Sequence, residues 1–415
     1  MRFKLLLSAY ACEPKKGSEP GVGWHWALEA ARLGYEVWVI TRSNNRPSIE
    51  AESTAIPSNL RFIYYDPPPW MSWWKKYGRR AKARPGGRWP YLYYLLWQWG
   101  AYRVAKRAHA RERFDGVQHV TFVSVRQPSF MGNLGIPFVF GPAAGGERAP
   151  WRLRWGYGFR GWVIDAFRDL MNLLVKFDPL MRRTFRKAER IYVTSAQTLA
   201  LLPSGARAKG RIHLAIGCDP DDGRQVAVKR AERSLSRELF RVLYIGRFVY
   251  WKGGHLGLLA FAHLLKSKID ARLSLVGKGP DEARWRRLAD KLSISEHIDW
   301  VPWVSREKLL DLYTQHTVFF FPSLHDSGGM VVLEAMTYGL PVVCLDLGGP
   351  GAIVNDSCGR VIKTADRNQT EVIRSLGEAL AELAADTCLC SQLSQGALKR
   401  VQHYHWGSVV RKVWT

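Results

Sequence analysis

Two carboxylates, Asp326 and Glu334, flank the glycine pair Gly328 and Gly329 in VFFFPSLHDSGGMVVLEAMTYGLPVVCLDLGGP, residues 318–350. Ionised carboxylates accept hydrogen bonds from hydroxyls, and a glycine loop that opens a helix presents backbone N–H groups to an anion. A second pair is cationic. Arg247 and, five residues on, Lys252 follow the strand-like stretch 241–245 and its terminating Gly246. Two cations at the carboxyl end of a strand can hold a diphosphate and neutralise the charge that develops as it departs. Each pair also has a plainer reading, as a loop that only packs or as two solvated surface cations.

The elements that would carry these residues can be read from apolar spacing. Residues 318–321 are uninterrupted apolar residues stopped by Pro322, the mark of a buried parallel strand. Met330, Val331, Leu333, Glu334, Ala335 and Met336 follow helical spacing until Gly339 and Pro341 close the helix, and 342–345 form the next strand. The same strand, glycine loop, helix and strand recur at the amino terminus: strand 3–8, loop ACEPKKGSEPGVGW, a helix from about residue 21 to 33, and strand 36–41. Gly21 and Gly23 there would let the backbone approach a diphosphate closely, or would merely terminate a turn. His119, in FDGVQHVTFVSV from residue 114, which reads as a strand entering a polar turn, is either a site residue or a buried, hydrogen-bonded histidine.

The 318–350 stretch resembles the signature of retaining glycosyltransferases of family 4, in which two acids separated by seven residues bracket a Gly-rich loop before an E-A-M helix. Here they are Asp326 and Glu334; most relatives carry Glu at the first position, and Asp326 is one methylene shorter. The run Gly246-Arg247-x4-Lys252-Gly253 matches that family residue by residue, and ACEP..GSEPGVGW is similar to a subgroup associated with surface-polysaccharide assembly. The resemblance implies an α/β chain of the GT-B fold: two Rossmann-like domains with a cleft between them and a last helix that crosses back. The expected division is 1–222, a linker 223–238, 239–398, and a crossover helix 399–415. It implies a nucleotide-diphosphate sugar, UDP- or GDP-linked, as donor. Arg247 and Lys252 would stabilise the leaving diphosphate and Glu334 would bind ribose hydroxyls. Asp326, with Gly328, Gly329, Met330 and Val331, would hold the sugar, and His119 would lie beside it. Gly21, Gly23 and Gly246 would approach the diphosphate, and Trp303 and Val304 the base. The family retains anomeric configuration, by same-face attack in which a leaving-phosphate oxygen takes the acceptor's proton. Two other readings remain: a catalytically silent GT-B scaffold that binds a sugar nucleotide or a membrane, and a soluble transferase making a storage or solute glycoside.

Composition bounds the rest. The 415 residues, 47% of them apolar, suffice for two or three packed domains. Lys plus Arg number 61 against 36 acids, a net charge of +25 that calls for an anionic partner or surface. Residues 70–113 hold twelve cations against one acid together with eleven aromatics. Tyr91, Leu95, Trp99 and Tyr102 share one side of a helix there, near Arg103, Lys106 and Arg107. Such a segment suits the headgroup layer of an anionic bilayer; it could also face the core with a solvated basic surface, or bind single-stranded nucleic acid. No nucleic-acid motif accompanies it, so none is expected as partner. The expected location is cytoplasmic, on the inner face of the plasma membrane, with a lipid-linked or oligosaccharide acceptor. A second basic, aromatic region spans 151–190, with ten cations against four acids. MRFKLLLSAYAC reads as a first strand rather than a lipoprotein leader, because its apolar core is short and Lys4 interrupts it. The six cysteines lack paired zinc spacing and read as free thiols. Asp219-Pro220-Asp221 reads as a linker turn, and no metal is expected.

Overall fold

The computed structural model describes residues 2–68, 88–219 and 239–414. They form two compact units: unit 1 comprises Met1–Gly146, Met171–Ala215 and Val409–Thr415, and unit 2 comprises Glu147–Leu170 and Ile216–Ser408.

Unit 1 holds a parallel sheet of order β3-β2-β1-β4-β5-β6-β7. The strands are β1 (Lys4–Ser8), β2 (Glu36–Thr41), β3 (Leu60–Tyr64), β4 (Gly116–His119), β5 (Phe138–Ala143), β6 (Arg190–Val193) and β7 (Gly210–Ile212). The short apolar runs seen in the sequence become these strands because helices cover both faces of a parallel sheet. The helix after β1 is Ser18–Arg32, so Gly21 and Gly23 lie inside it. A Cβ added at Gly21 would fall 2.0 Å from the Lys16 carbonyl oxygen, and one at Gly23 would fall 2.1 Å from that of Ala11. The chain's own loop fills the space these glycines leave.

Of the basic, aromatic segment, residues 70–87 lie outside the described residues. Helix Arg88–Glu112 follows. Its core side is Tyr94, Trp97, Gln98, Ala101 and Ala105. Trp99, from the stripe expected at the membrane, points away from that core and is 46% exposed.

Unit 2 holds a six-stranded parallel sheet of order β10-β9-β8-β11-β12-β13. The strands are β8 (Phe240–Ile245), β9 (Ala271–Val276), β10 (Ile298–Val301), β11 (Val318–Phe321), β12 (Val342–Leu345) and β13 (Gly359–Ile362). The chain runs outward in one direction from β8 and in the other from β11, so the order reverses between these two neighbours, and the crevice beyond their carboxyl ends is where such sheets bind ligands. Val242, Tyr244, Phe261, Leu273, Phe320 and Val343 belong to the apolar core beneath that edge.

Unit 2 also takes in Glu147–Leu170, a segment from within the expected division 1–222. Ala149, Leu153 and Tyr157 pack into the core of unit 2, and buried Arg154 donates to the Ala149 carbonyl at 2.7 Å, so segment Glu147–Leu170 is held there. The last helix is Trp406–Trp414, set off by a single 3-10 turn at Gln402–Tyr404. From Val409 onward it belongs to unit 1, where Trp414 Nε1 donates to Gln118 Oε1 at 2.7 Å.

Candidate functional site

Strand β11 ends at buried Phe321, and the chain then turns back on itself around Asp326. One carboxylate oxygen, Oδ1, accepts from the N–H groups of Gly328 and Gly329, each at 3.2 Å. The other, Oδ2, is ion-paired with Lys252 Nζ. The Asp326 carbonyl accepts from Gly349 N–H at 2.7 Å, and a Cβ at Gly348, whose φ is +59°, would meet that same oxygen at 2.1 Å. Burial pushes the Asp326 carboxyl up, but Lys252 and the two amides outweigh it and hold the group below its ordinary value. Asp326 is thus a charged post that shapes its loop and fixes the Lys252 ammonium.

Lys252 arrives at this position from the other strand of the switch point. After β8 the chain passes Gly246 and exposed Arg247, makes a 3-10 turn at Tyr250–Lys252, and enters helix Gly254–Lys266 through Gly253. Gly253 has φ +70°, and a Cβ on it would lie 1.8 Å from the Pro322 carbonyl oxygen, so only glycine fits where the two loops meet. Leu324 N–H donates to the Trp251 carbonyl at 2.8 Å and joins the same loops again. Lys252 Nζ also sits 5.0 Å from the centre of the Phe321 ring. At Gly246, by contrast, an added Cβ would find nothing nearer than the Tyr244 hydroxyl at 3.4 Å.

Gly329, at φ +80°, opens helix Met330–Thr337, which no side chain caps. Its first turn therefore turns the N–H groups of Met330 and Val331 toward the strand edge. Glu334 follows one turn later, half-buried, its Oε2 accepting from the Tyr313 hydroxyl at 3.1 Å; Tyr313 is itself stacked on Tyr338 at 5.3 Å. Trp303, 67% exposed, and half-buried Val304 follow β10, two strands from β8, and lie on the same edge of the sheet.

His119 lies in unit 1. It is fully buried at the end of β4, its Nε2 2.9 Å from both the Tyr94 hydroxyl and Gln98 Nε2. Burial lowers its pKa to about 3. The ring is neutral, and the contacts are those of a buried, hydrogen-bonded histidine.

The structure adds residues that spacing did not suggest. His325, beside Asp326, stacks on Trp251 with ring centres 5.5 Å apart. Arg168 Nη1 lies 2.8 Å from its Nδ1, and Asp165 Oδ1 lies 3.4 Å from its Nε2. Arg168 also donates to the Glu147 carbonyl at 2.8 Å. Segment Glu147–Leu170 thus anchors the Asp326 loop from more than 150 residues away in sequence, and no local pattern announces it. Among the described residues no group of three or more His, Cys, Asp or Glu side chains is placed to hold a metal ion. Of the Asp-Pro-Asp turn, Pro220 and Asp221 lie outside the described residues.

The family described as Glycosyl transferases group 1 matches residues 227–400. A D-inositol 3-phosphate glycosyltransferase of Streptomyces bingchenggensis is 31% identical over 199 residues, 45% of this chain and 42% of that protein. Its Streptomyces coelicolor counterpart is 25% identical over 253 residues, 57% of this chain and 54% of its own length. The chain therefore spans about half the length of the curated relatives it matches. Among solved structures, sucrose-phosphate synthase of Thermosynechococcus elongatus covers all of this chain and 98% of its own at TM-score 0.63 and 19% identity. Anabaena HepE in complex with UDP-glucose covers 100% and 98% at TM-score 0.59 and 13% identity. WaaG, a glycosyltransferase involved in lipopolysaccharide biosynthesis, covers 99% and 98% at TM-score 0.57 and 16% identity. The two parallel-sheet units are those of the GT-B fold, and the stretch from residue 227 to 400, which includes the Lys252–Asp326 edge, is similar to group 1 glycosyl transferases.

Proposed function

We propose that this chain is a retaining, metal-independent glycosyltransferase that moves a hexosyl group from a UDP- or GDP-sugar to a saccharide acceptor, a lipid-linked one in surface-polysaccharide assembly. The observation that carries the reading is the Lys252–Asp326 pair at the carboxyl ends of β8 and β11, beside exposed Arg247, an unfilled Gly246 and an uncapped helix start. A diphosphate placed there meets two cations and the positive end of a helix. In transfer, the bond from the sugar's anomeric carbon to the diphosphate oxygen breaks, and Arg247 and Lys252 take up the charge that appears on the departing oxygen. The acceptor oxygen forms its bond on the same face, and its proton passes to an oxygen of the leaving diphosphate. Glu334 accepts from ribose hydroxyls, held in orientation by Tyr313. Asp326 keeps Lys252 aimed and keeps the loop in shape for the sugar. The location on the inner face of the plasma membrane rests on the basic, aromatic sequence, and the acceptor rests also on the likeness to WaaG, a glycosyltransferase involved in lipopolysaccharide biosynthesis. No helix among the described residues is long and apolar enough to cross a membrane.

A panel of uridine and guanosine diphosphate sugars in a thermal-shift assay tests the donor. A bound donor at about 100 times its dissociation constant adds about 2.7 kcal/mol to folding stability. A clear shift with one base, together with slow release of free sugar from that donor, is the expected result. No shift with any member of the panel would end the transferase reading and leave the silent scaffold.

A further inference from the structure

Helix Phe159–Leu174 is built inside out. Gly161, Asp165 and Asn172 are buried along one side, with Arg168 and Asp169 beside them, while Trp162, Phe167, Leu170 and Leu173 are exposed on the other. A surface helix ordinarily shows the reverse arrangement, with apolar residues toward the core. The inward side makes ion-pair contacts, while both carboxylate oxygens of buried Asp165 have no hydrogen-bond partner among the described residues. Arg154 Nη2 pairs with Asp169 Oδ2 at 2.7 Å, Asp165 lies 3.4 Å from His325, and Arg126 donates to Asn172 at 2.8 Å. The helix is therefore held through its polar side.

The apolar side is large. Phe159 is 87% exposed and Phe167 62%; just before the helix, Trp155 is 76% exposed. A run of exposed apolar side chains of this kind marks an interaction site rather than ordinary scatter. The charges around it have one sign. Arg148, Arg152 and Arg160 are exposed, whereas Asp165 and Asp169 are turned inward, so no carboxylate from residue 148 to 170 is in full contact with solvent.

We propose that this face of helix Phe159–Leu174 lies in the headgroup layer of an anionic bilayer, the aromatic and leucine side chains entering the acyl boundary and the flanking cations reaching phosphates. The like-charged border favours a lipid surface over a second copy of this chain, because an isologous pairing would bring the same cations face to face, whereas anionic headgroups attract them. Arg160, at the first turn, has the stem length to keep its guanidinium at the surface while its neighbours are buried. The inference deepens the membrane part of the proposed function by naming the element, and it does not depend on transfer chemistry.

The test uses the full chain and liposome flotation, with vesicles of phosphatidylcholine alone or containing about one-third phosphatidylglycerol. Wild type is expected to float with the anionic vesicles only. Combined Trp162→Ser, Phe167→Ser and Leu170→Ser should lower partitioning roughly tenfold or more, since insertion scales with buried apolar area. The thermal midpoint and the shift given by the donor should stay as in wild type, so a misfolded variant or a wrong donor reading is recognised separately. Three outcomes overturn the proposal. In one, the triple variant floats as wild type does; if replacing Arg79, Arg80, Lys82 and Arg84 with Glu abolishes flotation instead, the lipid contact belongs to residues 70–113. In another, wild type ignores both vesicles and sediments as a dimer that the triple variant splits, which gives the face to a second copy. In the third, wild type neither floats nor associates.

Discussion

Lys252 answers to two partners, since the carboxylate that fixes it in the resting protein competes with the diphosphate it is proposed to receive. A part-buried ion pair that loses one member leaves the other charge with less compensation, here two backbone N–H groups for Asp326, at a cost of at most about 3 kcal/mol. Lys252→Ala should therefore lower stability by up to that amount and, on protein verified as folded, lower turnover by a factor of about a hundred or more, with donor affinity falling less. Single-turnover rates beside urea melts separate the two effects; turnover equal to wild type would remove Lys252 from the leaving-group role. Asp326 makes a pH prediction whose sign follows from its depressed pKa. A carboxyl held below its unfolded value contributes stability that is full above that value, about 3.9, and is lost as pH falls through the folded one. The stability gap between wild type and Asp326→Asn should accordingly be constant from neutral pH down to about 5 and close below about 4. A gap unchanged to pH 3 would mean that Asp326 acts only through loop shape. Glu334 differs in kind, because Gln can still accept from Tyr313: Glu334→Gln should keep its stability and lose affinity for the free nucleotide.

At the scale of elements, two glycines seven residues apart from β8 to the next helix make opposite predictions. Gly253 combines a left-handed φ with a carbonyl 1.8 Å from where its Cβ would stand, so Gly253→Ala should destabilise by at least the ~1–2 kcal/mol of the left-handed conformation. Gly246 has neither constraint, so Gly246→Ala should melt as wild type does while weakening nucleotide-sugar binding. Calorimetry of both variants with and without donor checks the pair, and a Gly246→Ala variant that binds donor normally would show that no ligand approaches there. The sheet edge itself was legible, because the apolar run of β11 stopped by Pro322, and that of β8 stopped by Gly246, announce a strand end whatever the rest of the chain does. Glycine meaning was legible only in part. Gly21 and Gly23 share the local pattern of Gly328 and Gly329, yet they make room for the carbonyls of Lys16 and Ala11, and the partner that fills a glycine's space is not written beside it. The same holds for the Gly348 approach to Asp326 and for the Arg168–His325 contact, both made by chain brought in from other elements. On helix Arg88–Glu112, aromatics occur all round, so spacing alone could not tell the Trp97 side, which is buried, from the Trp99 side.

For the whole molecule, a net charge of +25 means that any proton gained on acidification adds to self-repulsion, and each unit contains a histidine that resists taking one. In unit 1, burial lowers the pKa of His119 to about 3. In unit 2, burial first and then the charge of Arg284 lower that of His255 to about 3, and neither of its ring nitrogens has a hydrogen-bond partner among the described residues. Both rings stay neutral in the native state, whereas in the unfolded chain they take a proton near the ordinary pH of about 6.5. Between these limits the unfolded state binds more protons, so stability falls as pH falls, by about 1.4 kcal/mol per pH unit for each histidine. The protein should therefore begin to lose stability near pH 6, well above the range in which carboxylates titrate. His255 offers the cleaner test, because an aliphatic side chain there leaves no buried polar atom unpaired. His255→Leu is expected to match or exceed wild-type stability at pH 8, where both rings are neutral in either state, and to gain on wild type steadily as the pH is lowered to 5. Urea midpoints measured across that range give the slope directly. Parallel pH profiles for the two proteins would mean that His255 is already protonated when folded, and would assign the acid sensitivity to unit 1 and to the net charge.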